Sequence, residues 1–412
     1  MKTIFRFLSL AIALTALGAS AVFAQDACAD VDGQTALYTK VTDNYRGKTV
    51  AEKQAAIDAG KQFLEKYGAC EALKDQIDFV KPQIPRLEGL VKTQTYGEKM
   101  GPIFKRFDDG VKSQKYDDVY AAGKEVLAVE PDSLNQLVPM GVIGLYQSYT
   151  KNYKYNDDTI RYAQQALALL KSGKELPKKN DKGIPVAGVY GLTFTREDAI
   201  SEMTYAIGYI NFYAKNDKKT ALPYYYEVSQ LPGKNKNEPR VYATIGGYYL
   251  ESAGTLGKEI ADLITKQKAA KTDEEKIQLD TEIKAKIGMF NGYAERSLDA
   301  FSRAYSVAKS DTPENKTYRD GIYKQLQDIY KSRFDKLDGL DAYVSSTVTK
   351  PLPNPTSEVT PITDPEPAKT TGAATPVSVT PTADAAKPAM TTTAASAKPV
   401  AAAKKAAAPK RK

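Results

Sequence analysis

Between Gln25 and about Val348, apolar residues recur three and four positions apart, and the alternation of a half-buried strand is nearly missing. The pattern predicts helix after helix, with turns marked by Asn, Asp, Gly and Lys. At Lys350 it stops. Residues 350–412 are mostly Pro, Ala, Thr and Lys, with too few large apolar side chains to offset chain entropy. A disordered basic tail is therefore expected over 350–412, with the domain boundary near 349. At the other end, Lys2 and Arg6 precede an apolar run that closes on Val22 and Ala24, the pattern of a secretory signal over 1–24 with the mature chain starting at Gln25. The competing readings are an uncleaved anchor and a lipoprotein, the second lacking the apolar and small residues expected before Cys28.

Within the helical part, units of helix, turn and helix recur at about 40 residues, the period of stacked hairpins that bury their apolar faces only against their neighbours. One first helix carries Ile207, Gly208 and Phe212, and after the turn KNDKK its partner carries Ala221, Tyr225 and Val228; VYATIGGYYLES repeats the first-helix pattern with Ile245, Gly246 and Tyr249. Second-helix patterns stand in QKYDDVYAAGKEVLAVEPDS, DDTIRYAQQALALL and ERSLDAFSRAYSVA, and a degenerate first unit in AAIDAGKQFLEKYG. Two segments interrupt the spacing. Residues 172–195 form a Gly, Pro and Lys rich loop. An insertion after Glu251 makes a long hairpin over about 252–308, in which Thr272 and Glu275 mark a helix start near Asp273 and an apolar stripe runs from Ile277 to Phe301.

Over roughly residues 35–345 the chain resembles tetratricopeptide repeat proteins, which place a small residue such as Gly where paired helices approach; Gly110 and Gln147 depart from the family pattern. The resemblance implies an all-α, right-handed α-solenoid whose concave groove is lined by first helices. With Gly208 and Gly246 as anchors, that face holds Glu202, Tyr205, Tyr209, Phe212, Tyr213 and Arg240, leaving Ala206, Ile207 and Ile210 to the core. An aromatic wall with one acid and one arginine suits an extended peptide.

Composition narrows the chemistry. The formal charge of +8 includes +2 from the signal and +5 from residues 349–412, so the folded part carries about +1 and projects no strong field. That distribution and an exported chain argue against nucleic acid as a partner; the tail's few charges suit weak contact with an anionic wall polymer or lipid. There is no histidine, and Cys28 and Cys70 are the two cysteines, which excludes a His-based triad and a Cys-rich zinc site. In an oxidising compartment these cysteines are expected to form one disulfide. No phosphate loop or dinucleotide fingerprint is present, and no cofactor or metal is expected. The 27 tyrosines are split between packing and interface use. The expectation is a non-enzymatic interaction or scaffold module of the bacterial cell envelope, periplasmic or extracellular, without a transmembrane segment in the mature chain. A structural protein held on the envelope by its tail and an unrecognised enzyme are the alternatives.

Overall fold

The computed structural model describes residues 27–176 and 195–364, and the described residues contain helices and no strands. The expected signal, most of the 172–195 loop and the tail beyond 364 lie outside them. The chain divides at Pro102 into two compact units, each with its own core.

In the first unit, α1 (Val31–Asn44) is capped by Asp30, which accepts from the Gly33 amide. The second helix, α2 (Val50–Tyr67), opens on a reciprocal capping box between Thr49 and Glu52. Val41, Phe63, Tyr67 and Val80 form the core between them and the first part of α3 (Lys74–Ser113). Cys28 and Cys70 are joined in a disulfide, and beside it the Tyr67 hydroxyl donates to Asp30 Oδ2 at 2.6 Å. A core this small gains much from such a staple.

The second unit continues α3 and adds α4 (Tyr116–Val129), α5 (Leu134–Tyr149), α6 (Asn156–Lys171) and α7 (Arg196–Tyr209), which runs into a π turn at Ile210–Ala214. It then holds α8 (Lys218–Gln230), α9 (Pro239–Ala269), α10 (Asp273–Val307), α11 (Pro313–Phe334) and α12 (Leu340–Thr347). From α4 onward each helix packs on the next, and α5 also meets α7. The all-α expectation is met. Close approach explains Gly246 on α9: a Cβ there would lie 2.7 Å from the Phe301 ring on α10, and the Ser297 hydroxyl donates to the Gly246 carbonyl at 2.9 Å.

The long hairpin is present as α9 and α10, with the Thr272 side chain accepting from the Glu275 amide. Its stripe is only partly core. Ile283, Ala294, Leu298 and Phe301 are buried, whereas Ile277, near the tip, is 67% exposed and Ile287 41%.

The boundary expected near 349 is corrected. Residues 351–364 lie along the body as an irregular strap, with Leu352, Pro355 and Val359 buried. Three anchors interleaved with Pro, Thr and Ser make no helical period, so composition alone assigns them to the tail.

Candidate functional site

The six residues expected to line an open groove come together, but under cover. Glu202 is 4% exposed, Tyr205 5%, Tyr209 6% and Phe212 9%; Tyr213 and Arg240 are half-buried. Tyr209 meets Tyr149 edge to face with ring centroids 4.5 Å apart, and Tyr213 at 4.8 Å. Tyr205 and Phe212 both set edges against Tyr225, at 5.9 and 6.0 Å. The Arg240 guanidinium stands 5.9 Å from the Tyr318 ring centroid, and the Tyr213 hydroxyl shares a 2.8 Å hydrogen bond with Thr244 Oγ1. Glu202 accepts from Asn235 Nδ2 at 3.1 Å and pairs with Lys234 at 3.2 Å. The groove assignment is thus corrected. Rings from α5, α7, α8 and α11 fill the space between the helices, so Tyr205, Tyr209 and Phe212 join Ala206, Ile207 and Ile210 in the core.

Burial sets the electrostatics of this layer. It pushes the hydroxyls of Tyr149, Tyr205 and Tyr225 well above the usual phenol range, and that of Tyr209 up to about 12. These phenols stay neutral near pH 7, so the layer sets neutral hydroxyls beside the Arg240 cation. Burial opposes the charge of Arg240, but Glu238 and the surrounding tyrosines outweigh it and hold the guanidinium above its ordinary value. The layer reaches solvent at Tyr146, 42% exposed, whose ring meets Tyr149 at 5.9 Å.

A second site, which the sequence reading missed, is the seat of the strap. On α10, Gly288 and Gly292 clear a track for main chain: a Cβ at Gly292 would come within 2.4 Å of the Thr360 carbonyl oxygen. The Ile362 amide donates to the Gly288 carbonyl at 2.9 Å, and Asn291 Nδ2 donates to the Ile362 carbonyl at 3.1 Å. From α11, Arg333 reaches Asp364 with both Nη atoms, at 2.6 and 2.8 Å, while its Nε donates to Glu295 at 2.9 Å. Such a two-pronged fork fixes orientation as well as charge. It holds the Asp364 carboxyl below its ordinary range.

Arg303 closes the entry to the strap, donating to the carbonyls of Thr347 and Lys350 at 3.2 and 2.8 Å and to Asp299 at 2.8 Å. Between α10, α12 and the strap lies a cavity of about 350 Å³ with Glu295, Arg296, Asp299, Tyr343, Thr347 and Lys350 in its wall. The signal that could have revealed the seat is the apolar spacing of Leu352, Pro355, Val359 and Ile362, followed by Asp364.

Among the described residues no three Cys, Asp or Glu side chains gather as a metal site would require, and no helix is long and apolar enough to cross a membrane. Comparison with protein-family models, curated proteins and solved structures finds no match for this chain.

Proposed function

We propose that this chain is an exported, non-enzymatic interaction scaffold of the cell envelope, a tetratricopeptide-like array of helix pairs that binds protein partners as extended segments. The observation that carries this reading is the strap. The helical body holds fourteen residues of non-helical chain (351–364) through main-chain hydrogen bonds, spaced apolar anchors and an arginine fork, the three devices by which a groove recognises extended peptide. The disulfide supports an oxidising compartment.

The test is affinity capture from native envelope with two baits, the full chain and one ending at Asp364, followed by cross-link mapping. A partner retained by the shorter bait and cross-linked to α10, α11 or α12 supports the reading. Loss of every partner with residues 365–412 would refute it in favour of attachment through the tail.

A further inference from the structure

We infer that the α10–α12 seat is a recognition site for a partner's extended, proline-bearing segment, and that residues 351–364 occupy it in cis as a displaceable placeholder. This rests on the interaction reading above and adds the site and the partner's chemistry. The seat prescribes a register: an apolar residue, proline three positions on, a branched apolar residue at seven, another at ten and an acid at twelve, as in Leu352, Pro355, Val359, Ile362 and Asp364.

Each position has a physical reason. Gly292 accepts backbone where any side chain would collide with the Thr360 carbonyl, and the Gly288 carbonyl takes the Ile362 amide, so the site reads main chain there. Arg333 has a side chain only 3% exposed and is shared between Glu295 and Asp364. An incoming segment without an acid at that point would leave a largely desolvated guanidinium with one carboxylate fewer, which discriminates against neutral peptides. Charge complementarity therefore commits the occupant to an acidic end.

The strap itself is held at few points, of which the Arg333 fork to Asp364 is one. Three of its side chains are buried and nine are exposed, and its ordered main chain contributes two hydrogen bonds to α10. Elements with few buried contacts open at low free energy. A short tether nevertheless keeps the strap at an effective concentration on the order of millimolar. Weak peptides are therefore excluded, and only a partner with the full register displaces it.

The probe is a fluorescein-labelled synthetic peptide of residues 350–365, read by anisotropy against the full-length chain. Two variants loosen the strap by different routes: Val359→Ser removes a buried anchor, and Asp364→Lys breaks the fork at an exposed residue without touching the core. Circular dichroism and melting establish that each is folded. The peptide is expected to bind both loosened chains at least tenfold tighter than the wild type. Adding Gly292→Val to Asp364→Lys should abolish that gain, and a peptide carrying Asn in place of Asp364 should bind the loosened chains at least tenfold more weakly. The proposal is overturned if folded, loosened chains bind no better than wild type, or bind a scrambled peptide equally well. Concentration-dependent dimers of the loosened chains, with no peptide uptake, would overturn it in favour of exchange between copies. Capture on the chain ending at Asp364 can succeed while peptide exchange fails, so the two readings fall separately.

Discussion

Truncating Tyr209 to alanine tests whether the tyrosine layer is structural or a binding wall. The ring is 6% exposed and touches Tyr149, Tyr213 and Tyr205 at centroid separations of 4.5, 4.8 and 6.3 Å. Removing a buried aromatic costs about 3 to 5 kcal/mol, within which each ring pair accounts for about 0.5 to 1.5 kcal/mol. Tyr149 and Tyr213 stand on different elements, so the space left by the ring can close only by shifting α5 against the π turn. We therefore expect a loss near 4 kcal/mol, as a central estimate from such truncations. At about 2 °C per kcal/mol for a unit of this size, the melting temperature should fall roughly 8 °C. Tyr209→Phe, which keeps the ring, should lose less than about 1 kcal/mol. Denaturant titrations of the three proteins provide the measurement. A loss under about 1 kcal/mol for Tyr209→Ala, together with weakened partner binding, would refute the reasoning and return Tyr209 to an open groove.

Three further outcomes are expected. Reducing the Cys28–Cys70 bridge, whose sequence separation is 42, should cost about 4 kcal/mol in the chain-entropy account and lower the melting of the first unit, while non-reducing mass spectrometry finds no free thiol in native material. Burial lifts the Asp108 carboxyl from 3.8 to about 6, so the folded state holds its proton more tightly than the unfolded chain. Its contribution is full below about pH 4 and is lost as pH rises through about 6. Asp108→Asn should therefore flatten stability between pH 4 and 7, gaining on the order of 1 kcal/mol at neutral pH after discounting for solvent access; an unchanged pH profile would refute this. Gly246→Ala should destabilise by about 1 to 3 kcal/mol through collision with Phe301, and a neutral result in urea titration would show that α9 and α10 separate freely.

Local chemistry made much of this protein legible in advance. The three- and four-residue spacing of apolar positions implies helices because 3.6 residues complete a turn, and the Thr272 and Glu275 pair marks the start of α10 because the cap is satisfied within one turn. The tetratricopeptide resemblance implied a close approach at Gly246, where a Cβ would lie 2.7 Å from the Phe301 ring. The pairing of Cys28 with Cys70 followed from there being two cysteines in a chain expected to be exported.

The site was less legible. Anchoring on Gly208 and Gly246 selected residues that the fold does gather, Tyr205, Tyr209, Tyr213 and Arg240 among them, but the period of one helix carries no information about how closely the next helix stacks. Tyr149 on α5, Tyr225 on α8 and Tyr318 on α11 close the space, and that closure depends on side-chain volume arriving from three distant stretches of chain. The strap shows the same division more sharply. Four prolines among the fourteen residues 351–364 argue against helix and strand there, since proline lacks the donor that both need. Whether such a segment is ordered depends on its destination: Gly288 and Gly292 must offer an open track, and Arg333 must meet Asp364. Sequence alone determined helix, turn, cap and disulfide, because those interactions span at most a few residues or involve a single possible pair. Tertiary structure decided which aromatic rings see water and that residues 351–364 pack against the helices, because burial is a property of what packs against a residue rather than of the residue itself.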